Sequence, residues 1–191
     1  MKLSLFVVVM QILAVGVYAS TSKEIFAKFK NRYFVETGSY CGDGIQSALD
    51  AGFEEVYSIE LSLHHYEQCL QRFTNKDNIH LIFGDSSIQL ARVLELIDKP
   101  ATFWLDGHYS GGTTARGNSD TPILAELAAI GQHPIKTHTI LIDDVRLFGS
   151  VHFDYIDFSS IVAELHKINP NYDISFVNGF EENDVLVARL L

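Results

Sequence analysis

Tyr33-Phe-Val-Glu-Thr-Gly-Ser-Tyr-Cys-Gly-Asp-Gly44 begins as a short apolar run and ends in glycines. The run Tyr33–Thr37 predicts a strand. Glycines at 38, 42 and 44 let the backbone turn sharply and approach a ligand closely. Gly44 to Ala51 predicts a helix, closed by Gly52. The first N–H groups of such a helix are free to bind a carboxylate or a phosphate. Taken alone, the loop is equally a tight strand-to-helix turn.

Outward from this stretch, strands and helices alternate. Glu55-Val-Tyr-Ser-Ile-Glu60 predicts a second strand and Leu63 to Phe73 a helix. Asn78 to Phe83 predicts a third strand, ended by Gly84-Asp85. Ser87 to Ile97 predicts a helix, with Ile88, Ala91, Leu94 and Ile97 on one face and Pro100 as its stop. Ala101-Thr-Phe-Trp-Leu105 predicts a fourth strand. The Gly-, Ser- and Thr-rich segment from Gly107 to Asp120 is too long for a tight turn, and loops of that length are usually functional or mobile. Thr121-Pro122 opens a helix to about Gln132. Thr139 to Ile142 predicts a fifth strand, and Ser159 to Ile168 a helix. Tyr172 to Val177 and Asp184 to Leu190 predict an antiparallel hairpin closing one edge. The expected fold class is α/β: a Rossmann-like, doubly wound, mostly parallel seven-stranded sheet with a C-terminal antiparallel hairpin. Residues 21–191 read as one domain.

The 191 residues carry 24 acidic and 14 basic side chains, a formal net charge of −10. That balance, with no Lys/Arg cluster, argues against nucleic acid as a partner. Residues 1–20 stand apart: Lys2, an apolar stretch from Leu3 to Tyr18, then Ala19 and Ser20. They have the parts of a secretory signal, with a membrane anchor as the other reading. The expected location is the secretory pathway or a membrane, with the cytoplasm as the alternative. Membrane contact is expected through this segment only, and a homodimer is an open expectation. Cys41 and Cys69 are the two cysteines. They are either a bridge or two free thiols.

Acids stand at the C-terminal ends of the predicted strands, the edge where open α/β sheets bind ligands. Glu60 ends the second strand, where an acid can accept hydrogen bonds from both hydroxyls of a ribose. Gly84-Asp85-Ser86 ends the third, where an acid can meet an adenine amine. On these residues the chain resembles the class I S-adenosylmethionine-dependent methyltransferases. Glu36, Gly38, Gly42 and Gly44 match that family's acidic-x-Gly-x-x-x-Gly-x-Gly loop. The resemblance implies that this loop, with Ser39, holds the methionine part of S-adenosylmethionine. It implies the ribose for Glu60, the adenine side for Asp85 and Ser86, and a further cofactor contact for Asp106.

The fourth and fifth strands deliver a second group. Trp104-Leu-Asp-Gly-His108 and Leu141-Ile-Asp-Asp144 place Asp106, Asp143 and Asp144 at the same edge, where carboxylates can converge on a hard cation such as Mg²⁺, Mn²⁺ or Ca²⁺. The arrangement resembles the cation-dependent O-methyltransferases of the catechol and macrocin types. The resemblance implies methyl transfer to a small hydroxylated substrate. His108 and Asp106 are the candidate catalytic residues. The unperturbed pKa of a histidine near 6.5 suits His108 to proton abstraction. The lysine that catechol-type enzymes carry after this Asp has no counterpart, because no lysine lies between Lys99 and Lys136. Two alternatives remain: a binding protein of this fold without catalysis, and another nucleotide enzyme on a Rossmann-like sheet.

Overall fold

A computed structural model describes residues 22–191. The signal-or-anchor segment, 1–20, lies outside the described residues. Seven strands, β1 (Tyr33–Thr37), β2 (Glu55–Glu60), β3 (Ile79–Phe83), β4 (Ala101–Leu105), β5 (Thr139–Ile142), β6 (Asp173–Val177) and β7 (Val185–Arg189), form one sheet. Their order is β3-β2-β1-β4-β5-β7-β6. The pairs from β3 to β5 are parallel, and β7 runs antiparallel to both β5 and β6. The expected doubly wound, mostly parallel sheet is therefore present.

Among the described residues, six helices cover it: α1 (Lys23–Lys28), α2 (Asp43–Asp50), α3 (Leu63–Arg72), α4 (Ser86–Leu94), α5 (Ile123–Gln132) and α6 (Phe158–Ile168). Strand residues alternate between two cores, as the pleat requires. Phe34, Val56, Trp104, Leu141 and Val187 face Phe26, Ile45, Ala48 and Phe73 on the α1–α3 side. Val35, Phe103, Ile140 and Leu186 face Leu90, Leu127, Ile130 and Leu165 on the α4–α6 side. Trp104 is wholly buried, edge-on to Phe26 at 5.1 Å between ring centroids, so it is core and not a ligand platform.

The terminal hairpin inserts its second strand, not its first, against β5. The reason is composition. Val185-Leu-Val-Ala188 is apolar on both faces and wholly buried, as a central strand must be, whereas β6 is only partly buried at the rim. Among the described residues, no helix is long and apolar enough to cross a membrane.

Candidate active site at the carboxyl edge of the sheet

Strand order reverses between β1 and β4, and the strand ends there are held level. Gly38 N–H donates to Ile59 O, Asp106 N–H to Thr37 O, and Asp143 N–H to Leu105 O. A cavity of about 530 Å³ opens over these ends. That volume is in the range of small-molecule sites. Its wall includes Gly38, Tyr40, Glu60, His65, Asp85, Ser86, Asp106 and His108, with most of the loop from Gly107 to Asp120. Glu36, Ser39, Gly42, Gly44, Asp143 and Asp144 are not on that wall.

The glycine loop divides into wall and scaffold. Gly38 has a φ of +85°, and a Cβ there would stand 2.4 Å from the Asp106 carbonyl oxygen. Two loops therefore touch backbone to backbone at this point. Gly42, also at φ +85°, would drive a Cβ to 2.6 Å from the Phe73 ring, so it docks the loop on α3. Gly44 is buried in the first turn of α2. Glu36 lies beneath, where Ser58 Oγ donates to it at 2.5 Å and Ser39 Oγ stands 2.6 Å from Ser58 Oγ. Burial pushes the Glu36 carboxyl up to about 8, against the pull of the Ser58 hydrogen bond. It is a carboxylic acid at neutral pH.

Glu60 faces the cavity and is held by two backbone donors. Tyr40 N–H reaches Oε2 at 2.8 Å, and Ser62 N–H reaches Oε1 at 2.6 Å. A carboxylate has about four acceptor positions, so each oxygen keeps one for a ligand. Asp85 caps α4 through Oδ1, which accepts from Ser87 N–H and Oγ–H. Its Oδ2 points towards Gly117 in the covering loop. That loop spans the cavity: His65 Nε2 on α3 is 3.1 Å from Thr113 Oγ1. Arg116 is neutralised within it, with Nε 2.5 Å from Asp120 Oδ1. His65 is buried, on the wall and 4.5 Å from the Tyr40 ring, while His64 is exposed.

The second group of acids does not assemble as expected. Among the described residues Asp106, Asp143 and Asp144 form no single cluster. Asp144 instead belongs to two, one with Asp106 and His108 and one with Asp143 and Asp184. Asp144 has a φ of +61°, left-handed backbone that an Asp tolerates better than most residues. His108 bridges the first cluster, with Nδ1 3.3 Å from Asp106 Oδ1 and Nε2 2.9 Å from Asp144 Oδ2. Burial lowers the His108 pKa, but the hydrogen bonds and charges of both carboxylates outweigh it and carry it up to about 10. Burial holds Asp106 above the usual carboxylate range, against His108. Burial also opposes the ionised form of Asp144, yet His108 and Arg146 bring it below that range. Thus His108 is an imidazolium at neutral pH, not the poised base that its unperturbed value suggests.

Arg146 fills the second cluster. Its Nη1 lies 2.5 Å from Asp144 Oδ1 and also pairs with Asp184. Two of its three carboxylates, Asp144 and Asp184, are thus already paired with a guanidinium. The Asp106–His108–Asp144 set fits a divalent cation better: two hard oxygens and an imidazole nitrogen within ligand reach of one another. The aromatic segment after β5 forms two 3₁₀ turns, Val145–Leu147 and Val151–Phe153. Phe153 packs 5.9 Å from the His108 ring and 4.8 Å from Phe148, backing the histidine and not the cavity.

One site residue escapes the sequence reading. Glu126 on α5 is buried directly behind the wall, where Ser86 Oγ donates to its Oε1 at 2.6 Å. Burial raises its carboxyl to about 7. A signal existed: Ile123, Glu126, Leu127 and Ile130 share one helix face, so this acid lies on a core stripe.

No protein-family profile matches the sequence. No curated protein matches it either. Solved structures do. The SAH-bound methyltransferase PaMTH1 of Podospora anserina superposes with a TM-score of 0.58 at 13% identity, over 88% of this chain and 76% of that one. An O-methyltransferase from Bacillus cereus in complex with SAH gives 0.57 at 12% identity, over 87% and 78%. A fibrillarin/Nop5p complex gives 0.57 at 13% identity, over 90% and 80%. At such identities the likeness speaks for architecture, and by architecture this chain has the Rossmann-like fold of the class I S-adenosylmethionine-dependent methyltransferases.

Proposed function

We propose that the chain binds S-adenosylmethionine in the cavity over the β1/β4 switch point and methylates a hydroxyl of a small molecule, assisted by a divalent cation. One observation carries this reading: Gly38, Glu60, Asp85 and the Asp106–His108 pair meet around a single cavity of about 530 Å³. The bound cofactor supplies an electrophilic methyl group on a sulfonium. Gly38 and Tyr40 would line the place of the methionine part. Glu60 accepts from the two ribose hydroxyls with its remaining lone pairs, and Asp85 Oδ2 accepts from the adenine amine. The loop from Gly107 to Asp120 excludes water above them.

Asp106, His108 and Asp144 would hold the cation, which lowers the pKa of a coordinated hydroxyl. His108 must lose its proton to serve as a ligand, so cation affinity falls as pH is lowered. Arg146 keeps Asp144 ionised and oriented. A second reading, a binding protein of this fold without transfer, draws on the same acids: His108 and Arg146 already supply them with internal cations.

A methyl-transfer assay over a panel of hydroxylated acceptors, with and without Mg²⁺ or Mn²⁺, decides between them. Cation-dependent transfer is expected, lowered at least about 100-fold in Asp144→Ala, an effect in the usual range for a catalytic group. Asp143→Ala should lose less, because Asp143 lies outside the His108 cluster. Cofactor binding with no transfer under any cation would establish the second reading.

A further inference from the structure

Three of the chain segments that form the cavity wall, those after β1, β3 and β4, meet near one buried carboxyl. Glu126 is 1% exposed and stands in the first turn of α5. From the loop after β3, Ser86 Oγ donates to Glu126 Oε1 at 2.6 Å. From the end of β1, the Thr37 hydroxyl lies close enough to the same carboxyl to favour its ionised form. Thr37 Oγ1 in turn accepts from Asp106 N–H at 3.3 Å, so the loop after β4 joins the chain. That loop also lies against the carboxyl itself. A Cβ on Gly107 would stand 3.1 Å from Glu126 Oε1 and 3.2 Å from Ser86 Oγ.

We propose that Glu126 is a positioning residue of the cofactor cavity, fixing three of its wall-forming loops, those after β1, β3 and β4, relative to one another through Thr37, Ser86 and Gly107. The inference rests on the proposed cofactor site for its functional consequence, but not for its structural one. Glu126 does not itself line the cavity but touches Ser86 and Gly107, which do. It acts through residues one step from Gly38, Asp85 and Asp106. A carboxyl suits this task because its two oxygens accept from several hydroxyls at once, which an apolar residue on the same helix stripe cannot do. A buried polar hub of this kind specifies one arrangement only while every member is paired.

The experiment compares the full chain with Glu126→Ala, Glu126→Gln and Thr37→Val. Amide hydrogen exchange is measured without ligand, and SAH binding by calorimetry. Glu126→Ala is expected to speed exchange in residues 38–40, 84–87 and 106–108 together, with β1, β4 and β5 unchanged, and to weaken SAH at least 10-fold. Glu126→Gln, which keeps the shape and one acceptor oxygen, should recover most of that loss. Thr37→Val should affect the loops after β1 and β4 but not the one after β3. Exchange that is unaltered in these loops, or equally faster through the whole chain, overturns the inference. So does SAH affinity within 2-fold of wild type in Glu126→Ala. If the wild-type chain binds no SAH, the cofactor reading fails, and the exchange pattern still decides the role of Glu126. If Glu126→Ala does not fold, Glu126→Gln and Thr37→Val carry the same comparison.

Discussion

At the scale of single residues, the site depends on where backbone lies as much as on which side chains are present. Gly38 is the clearest case. Its positive φ costs an L-residue roughly 1–2 kcal/mol, and a methyl group would overlap the carbonyl oxygen of Asp106, whose own N–H is tied to the end of β1. Gly38→Ala should therefore destabilise the chain by at least about 2 kcal/mol and remove SAH binding. Urea unfolding and calorimetry would show this, and a variant of native stability that still binds would refute the close approach. That a glycine was needed here was legible from the loop's spacing, but its partner was not, since Asp106 O comes from 68 positions away in sequence. The behaviour of His108 was not legible either. Two residues from Asp106 in sequence, it reads as a base. What reverses that is Asp144, brought by another strand, which turns the histidine into a shared cation. The sign follows: a folded pKa near 10 against about 6.5 unfolded makes the bridge fully stabilising below pH 6.5 and lost as pH rises through 10.

At the scale of elements, strands declare themselves better than short helices. β1, β2, β4 and β5 have the ends their apolar runs predict, because each is bounded by a glycine, an acid or a proline. α1 was missed: six residues carry under two turns of periodicity. The hairpin was legible, but its inward strand emerged only from the fully buried β7. Beyond the strands' other ends, α5 is tied to β4 by a chain of histidines. Ala101 N–H donates to His138 Nδ1, His138 stands 2.9 Å from His133 Nδ1, and His133 Nε2 is 3.1 Å from Ile97 O. Because Ala101 N–H already donates to Nδ1, His138 carries its own proton on Nε2 and donates it to His133 Nδ1, while His133 Nε2–H donates to Ile97 O. Each neutral tautomer is thereby fixed. Burial and the neighbouring His133 and Lys136 lower His138 to about 4. The unfolded chain then binds more protons between pH 6.5 and 4, so stability from this group is full above 6.5 and is lost towards 4, by about 3 kcal/mol at most. Glu36 and Glu126, with raised values, push the opposite way over part of that range. The measurement is consequently a difference: the pH profile of wild-type unfolding minus that of His138→Gln, expected to fall through this window. A flat difference would mean that the histidine chain takes up a proton without strain.

At the scale of the whole molecule, the sheet reversal between β1 and β4 makes one cavity depend on both halves of the fold. Glu60 and Asp85 belong to the β1–β3 half, Asp106 and His108 to the other, and the loop from Gly107 to Asp120 returns across the opening to His65 on α3. A ligand in this place touches loops that all have to separate on unfolding. Its binding free energy is then added to global stability, provided that the chain unfolds as one cooperative unit. SAH at 100 times its Kd should stabilise the folded state by about 2.7 kcal/mol. For a chain of this size that is a rise in Tm of about 5–11 °C, from roughly 2–4 °C per kcal/mol. NAD is the control, because a Rossmann-like sheet by itself suits either molecule. A pyrophosphate is anionic, whereas the acids Glu60, Asp85 and Asp106 line the wall and the His108 imidazolium there is already shared between Asp106 and Asp144. Arg116 is on Asp120, and Arg146 is on Asp144 and Asp184. A scan in which SAH raises Tm and NAD does not would fit that wall, and an equal rise with NAD would return the chain to nucleotide enzymes at large.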